Sequence, residues 1–391
     1  MEKIKSDFSQ KIEIITPDDE YHYFFAYYDM RATGDGINQN HLCHRVKFMD
    51  RIPTKEDVCE IGYLKDKKFY KIGETTAWNF QQGAMLQYHP FKENTVYYNV
   101  VKDGMFVTVT HNFETGEKSY TDMATACVSP NGKYGLSVNY GRIFAFRPGY
   151  GYAGCKDEFE NVNVPKDDGV FLTDMESGKS KLLVTYEDML EESGFTSEDK
   201  ILVNHITFNT TSDRYVMLVR NFPIPGRMWS TSMMIGDLNG NVKTVVKNTY
   251  VSHYKWISPN EILVHCNVHK DKEVWNLYVI NVDDGSYKEY DSFYYHIKGC
   301  SPDIHCTQTP DGKYFIGDGY PFEGYRGILA TEIDTLKSKV ILWVKTVEPE
   351  DGDARCDLHA RYVFNGKYVS FDTTMNDKRQ IAIFPTEEIK V

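Results

Sequence analysis

The sequence has little that reads as helix, nothing that reads as a membrane span and no excess of positive charge. No apolar run approaches the ~20 residues that cross a bilayer, so no membrane partner is expected. The start, Met1 to Gln10, lacks an apolar core of signal-peptide length, which makes the cytoplasm the expected location. Lys and Arg number 44 against 56 Asp and Glu, a formal charge of −12. Binding a phosphate backbone needs a basic surface, so no nucleic-acid partner is expected; an anionic small substrate in a locally basic cleft remains compatible. Also missing are a Gly-x-Ser-x-Gly elbow and a Gly-x-x-x-x-Gly-Lys-Ser/Thr loop, which leaves acyl transfer and nucleotide chemistry unsupported. In a reducing compartment the eight cysteines stay unpaired, and any special ones are expected to be metal ligands rather than disulfide partners.

What is present is strand. Apolar residues make up 41% of the 391-residue chain, enough for a core and too many for disorder. The 28 Tyr and 22 Phe favour half-buried strands, and exposed rings are also what sugar clefts use. Few stretches carry helical spacing; the best is Tyr186 to Ser193, a short helix or helical turn ended by Gly194. Elsewhere short alternating segments are separated by hairpin turns such as Asn131-Gly132, Asp311-Gly312 and Asn365-Gly366.

These turns recur in one frame. Ser129-Pro-Asn-Gly-Lys-Tyr134, Thr211-Ser-Asp-Arg-Tyr215, Ser258-Pro-Asn-Glu-Ile262, Thr309-Pro-Asp-Gly-Lys-Tyr314 and Phe364-Asn-Gly-Lys-Tyr368 each read as turn, then strand. Weaker versions lie at His89 to Val96 and Gly34 to His41. A second turn follows many of them, as in Asp174-Met-Glu-Ser-Gly178, Asp237-Leu-Asn-Gly240 and Val282-Asp-Asp-Gly285. An inner and an outer hairpin repeated about seven times predict an all-β, seven-bladed β-propeller of four-stranded antiparallel blades over residues 1–391. A loop inserted at about 141–168 accounts for the long interval between Tyr134 and Tyr215.

Aligned on this frame, four successive blades carry a histidine before the turn: Val203-Asn-His205, Val251-Ser-His253, Asp303-Ile-His305 and Asp357-Leu-His359. Each precedes the residue opening the next strand by nine or ten positions. That strand is the innermost of a blade, so the four converge at one end of the central channel. Cys356-Asp-Leu-His359 adds a spacing able to put two ligands on one ion, and a divalent metal is expected. Imidazole with thiolate suits Zn2+; imidazole with oxygen leaves Mn2+ open. His265 and His269, and His41 and His44, are spaced poorly for chelation along a strand and read as structural. Arg220 lies on the strand after His205, and Arg227 in the loop beyond. Arg147-Pro-Gly-Tyr-Gly-Tyr152 presents one Arg and two Tyr from the insertion, and Trp78-Asn-Phe-Gln-Gln82 an aromatic with amides. Arg pairs with carboxylates, Tyr and Trp stack on sugar rings, and His or Tyr moves protons.

Phe25-Ala-Tyr-Tyr-Asp29, Trp78 to Gln87, Arg147 to Tyr152, Val203-Asn-His-Ile-Thr-Phe208, Asp303-Ile-His-Cys306 and Arg355-Cys-Asp-Leu-His-Ala-Arg361 together resemble the landmarks of propeller polysaccharide lyases. That group includes oligogalacturonate, ulvan and rhamnose–glucuronate lyases, and the resemblance spans nearly the whole chain. It implies cleavage of uronate-containing oligosaccharides by β-elimination. It further implies His253, His305, Cys356 and His359 around an ion, with cysteine favouring a structural Zn2+ over a catalytic Mn2+. His205 would be the base and Arg220 the partner of the uronate carboxylate. Tyr152 or Tyr150 would assist, with Arg147, Trp78, Gln81 and Arg227 as further substrate contacts. A glycoside hydrolase on the same fold and a non-catalytic binding propeller stay open beside it.

Overall fold

The computed structural model of the chain describes residues 4–5, 11–34, 39–226, 228–269, 275–290 and 303–391. Seven antiparallel sheets succeed one another along the chain, giving the expected seven-bladed propeller. Blade 1 is built from strands His22–Phe24, His41–Val46, Cys59–Lys65 and Lys68–Thr75, and blade 2 from Gln87–Tyr88, Thr95–Lys102, Met105–Asn112 and Lys118–Tyr120. Blades 3, 4 and 5 begin with Thr125–Val128, Ile201–Phe208 and Val251–Trp256. Blade 6 begins with His305–Gln308 and gains a fifth, outermost strand, Ile4–Lys5. Blade 7 supplies Arg361–Val363, Tyr368–Thr373 and Gln380–Pro385, and Glu13–Ile14 completes it by pairing with Ile383 and Ala382. Tying an N-terminal strand to the C-terminal sheet closes the ring and removes an open edge.

The turn frame marks the hairpins it predicts. Tyr134, Tyr215, Ile262, Tyr314 and Tyr368 all fall in the second strands of blades 3 to 7. Gly132, Gly312 and Gly366 sit at φ 68°, 73° and 76°, where a side chain is costly. The weak landmark at Gly34 to His41 lies partly outside the described residues. First strands are largely buried, as in Ile201–Phe208, where every residue is buried. Among the described residues no helix is long and apolar enough to cross a membrane.

Residues 138–168 separate the second and third strands of blade 3. Asn139 caps a helix over Tyr140–Phe146 by accepting from the Arg142 amide. The buried Arg142 then clamps the insertion to blade 4. Its Nε donates to the Ile201 carbonyl at 2.8 Å, its Nη1 reaches Asp157 at 3.2 Å, and its Nη2 donates to the Val162 and Asn163 carbonyls. At Gly151 an added Cβ would stand 2.2 Å from the Phe144 amide nitrogen, so only glycine lets the chain fold back on this helix. That return delivers Arg147 and Tyr150 to the ring's centre.

Candidate functional site

A cavity of about 370 Å3 opens over blades 4 and 5. Its walls include His205, Arg220 and Trp229 from blade 4, Tyr250 and His253 at blade 5, and Asp303 and Tyr320 beside blade 6. The insertion adds Arg147 and Tyr150 as a cover. Two guanidiniums and one carboxylate line the cavity, and Arg147 Nε also pairs with Asp353 at 2.8 Å.

His205 is the best-defined side chain here. Its Nδ1 lies 3.1 Å from Gln82 Nε2 and 3.4 Å from the Tyr27 hydroxyl. Both contacts fall on Nδ1, and the residue lines the cavity. The Tyr27 ring stacks on the imidazole at 5.8 Å and 8°, and Tyr150 meets it edge-on at 5.8 Å. Burial, then the neighbouring Arg220 and other cations, hold His205 well below the ordinary imidazole range, so it is neutral. Arg220 is buried too: Nη1 donates to Asn204 Oδ1 at 2.6 Å and Nη2 to the Val251 carbonyl. Its Nε, with no partner, is spare donor capacity at the cavity wall.

The other three histidines of the register meet one another. His305 is 3.9 Å from His253 and 4.1 Å from His359, ring centre to ring centre. Carboxylates hold them from behind: His253 Nδ1 is 2.7 Å from Asp303, and His305 Nδ1 is 3.3 Å from Asp318. An imidazole anchored through Nδ1 by a carboxylate presents Nε2 as a basic ligand. Burial lowers His253 to about 4 despite Asp303, and lowers His359 well below its usual range. At His305 burial opposes the cation, but Asp318, Asp357 and Asp303 together outweigh it and raise the pKa. Ligand atoms of His305, Asp357 and His359 all lie within 4.8 Å of one another. His359 holds φ 46°, a strained backbone of the kind that clusters at functional sites.

Not every sequence-predicted residue arrives. Cys356 is separated from the imidazoles and lines a 70 Å3 space with Met49, Val347, Thr374 and Arg379; Asp357 stands in its place. Arg355 and Asp357 bond each other, Nε to Oδ1 at 3.1 Å, in an irregular segment between a short 3-10 turn and the strand Arg361–Val363, and Cys356 between them faces away. Tyr152 is buried away from the cavity, stacked on Tyr140 at 4.2 Å with its hydroxyl accepting from Asn99. Trp78 is buried in a cluster with Phe24 and Phe80, its indole N–H on the Asp57 carbonyl. Gln81 donates to the Asp353 and Arg355 carbonyls, and it is Gln82 that faces His205. Arg147 and Tyr150 do line the cavity. Arg227 lies outside the described residues. His265 comes within 3.6 Å of Asp303, and His41 and His44 bond Ser370 and the Ala84 amide.

Residues missed by sequence reasoning are the supports: Tyr27, Tyr28, Asp303, Asp318, Asp357, Tyr250 and Tyr320. Asp318 is the direct cross-strand partner of His305, a pairing that only the register of the ladder reveals.

No protein-family model matches the chain, and no curated protein matches its sequence. Solved structures do match its fold. An oligogalacturonate lyase from Vibrio parahaemolyticus superposes with a TM-score of 0.64 at 13% identity, covering 98% of this chain and 96% of that one. An oligogalacturonate lyase in complex with manganese gives 0.65 at 12% identity, covering 99% and 96%. A puromycin-hydrolyzing peptidase from Mycobacterium tuberculosis gives 0.52 at 11%, over 93% of this chain and 53% of that one. At such identities the likeness is one of fold.

Proposed function

We propose that the chain is a lyase that cleaves uronate-containing oligosaccharides by β-elimination. The observation that carries this reading is the neutral imidazole of His205 at a cavity wall shared with Arg220 and Arg147. Elimination needs that pairing. The C5 proton of a uronate becomes removable when cations stabilise the charge developing on the adjoining carboxylate. In the proposed step His205 Nε2 takes the C5 proton while the carboxylate faces Arg220 and Arg147. The C5–H electron pair becomes the C4–C5 double bond, and the bond from C4 to its glycosidic oxygen breaks.

The leaving oxygen takes a proton from Tyr150. Arg355 Nη2 donates to the Tyr150 hydroxyl at 2.9 Å, so the phenol's own proton points elsewhere. The acid expected at Tyr152 is thus better assigned to Tyr150. Tyr150→Phe is expected to lower kcat about 100-fold, and Tyr152→Phe to leave kcat within twofold. Steady-state kinetics on the two variants checks this, and the reverse ranking would remove Tyr150 from the reaction.

His305, Asp357 and His359 fit a divalent ion: imidazoles with carboxylate, donor atoms within reach of one centre and His359 neutral. With Cys356 turned away, the thiolate on which zinc was expected is gone, and two nitrogens with one oxygen suit Mn2+ as well as Zn2+. Such an ion would act as a Lewis acid toward a bound oxygen.

A hydrolase reading is less well supported. It needs two carboxylates across the bond, and among the described residues lining the cavity Asp303 is the single one. The test is absorbance near 235 nm during incubation with uronate oligosaccharides, with and without chelator. A rise is expected from the unsaturated uronate. A flat trace with new reducing ends means hydrolysis, and no change in either signal leaves a binding propeller.

A further inference from the structure

The blade 3 insertion is tied down twice. Arg142 holds its base. Its tip, the turn Pro148–Tyr150 with Arg147 before it, meets the short turn Gly352–Ala354 between blades 6 and 7. There Asp353 accepts from Arg147 Nε at 2.8 Å and from the Gly149 amide at 3.3 Å. The receiving turn is itself fixed, because Asp351 accepts from the Asp353 amide at 3.0 Å. Contact is so close that a Cβ on Gly149 would stand 2.4 Å from Asp353 Cβ. Gly149 is not among the residues with positive φ, so its lack of a side chain serves this approach and not a backbone bend. Arg147 lies 4.5 Å from the Tyr150 ring centre and 5.8 Å from that of Trp229, and all three line the cavity. Its Nη1 and Nη2 have no hydrogen-bond partner among the described residues.

We propose that Asp353 is a positioning residue for Arg147: it takes Nε and keeps the two Nη groups free for the carboxylate of a bound uronate. The part played in binding rests on the uronate reading of this cavity; the latch between tip and turn does not. A guanidinium is a planar fork, and a partner on Nε fixes its plane while leaving the Nη edge open to a second carboxylate. Asp353 also stands 3.8 Å from Arg355 Nη1, so its charge is shared between two guanidiniums and does not cancel that of Arg147.

Arg220 needs no such help, since Asn204 and the Val251 carbonyl already hold it on blade 4. Arg147 hangs from an inserted turn, and without Asp353 its long side chain would have to be ordered afresh by each ligand. Stability has little stake in the pair. Its side chains are 25% and 17% exposed, and ion pairs in reach of solvent contribute little to folding. Asp353→Ala should therefore fold and melt much as the native protein does.

The experiment is calorimetric titration with disaccharides of galacturonate and of glucuronate, each as the free acid and as the methyl ester. All variants are made in His205→Gln protein, where the proposed base is gone and the sugar is not consumed. Asp353→Ala should weaken binding of the acid about tenfold, the cost of ordering one long side chain, and that of the ester less than twofold. Gly149→Ala keeps both charged groups but drives a Cβ onto Asp353, and it should reproduce this loss. Adding Asp353→Ala to Arg147→Ala should weaken binding no further, because the first acts only through the second. Equal losses for acid and ester, or losses that add to those of Arg147→Ala, would overturn the proposal, since Asp353 would then merely hold the loop. Tighter binding of the acid would overturn it too, by making Asp353 a competitor for Arg147. If the parent protein binds no acid, the uronate reading fails, and amide hydrogen exchange over residues 149–151 decides the latch alone. Exchange there should quicken in Asp353→Ala, and unchanged exchange would leave no latch.

Discussion

His205→Gln is expected to lower kcat about 1,000-fold, within the range for loss of a positioned general base, with little change in melting temperature. Glutamine roughly fills the imidazole's space and keeps a polar end for Gln82, so no large hole opens between Tyr27 and Tyr150. What it lacks is a nitrogen able to accept a proton. The pH profile of the native protein gives a second readout. His205 is held well below the ordinary imidazole range by burial and then by Arg220, and a base works only when unprotonated. Activity should therefore persist as pH drops through 6.5, the usual imidazole value, and fail only once the lowered pKa is reached.

Stability has the opposite handle. Below about pH 6.5 the unfolded chain binds a proton at His205 that the folded chain refuses, so acid favours unfolding. His205→Gln removes that term and should flatten the fall of stability between neutral pH and mild acid. A variant with full activity, or an unchanged acid slope, would place His205 outside the reaction or in contact with solvent. Denaturant titrations at several pH values, read beside the kinetics, separate these results.

The fold was legible because a propeller writes itself into sequence as turns. Glycines at positive φ after Asn or Asp have few alternatives, and their recurrence at blade intervals admits few architectures. Even the helix Tyr186–Ser193 with its stop at Gly194, φ 79°, is local chemistry. The histidines were legible for the same reason, since one position repeated in four blades must converge in a ring. Their partners were not. Asp318 reaches His305 across a ladder, and Tyr27 reaches His205 from 178 residues away, so neither leaves a mark beside its histidine. Cys356 was misplaced because a Cys-x-x-His spacing says nothing of side-chain direction in an irregular segment, where His359 itself turns to φ 46°. Arg355, Asp357 and His359 all serve the centre, while Cys356 points away.

Asp357 is where this centre is most exposed to damage. Its carboxylate meets Arg326 Nη1 at 2.7 Å and Arg355 Nη2 at 2.9 Å, all three groups being buried. Burial opposes its charge, but the two guanidiniums prevail and hold its pKa well below the usual carboxylate range. Its pairing energy is thus fully present above the unfolded pKa near 4 and is lost only as pH falls through the folded value. Asp357→Ala leaves two buried cations facing each other, and breaking a buried pair from one side costs about 3–5 kcal/mol. Because Arg326 keeps Glu348 at 3.2 Å, the loss should sit near the lower end, ~3 kcal/mol. Since His359 stands outside this network of guanidiniums, His359→Ala should cost clearly less in metal-free protein. Addition of Mn2+ then separates pairing from ligation. At 100 times its Kd a bound ion raises native stability by about 2.7 kcal/mol, and both variants should forgo that gain, each lacking one ligand. Denaturant titrations of the three proteins, with chelator and with Mn2+, decide the matter. Should Asp357→Ala match the native protein in chelator, the Arg326–Asp357–Arg355 bridge would contribute nothing. Should His359→Ala still gain from Mn2+, the ion would lie elsewhere than between His305, Asp357 and His359.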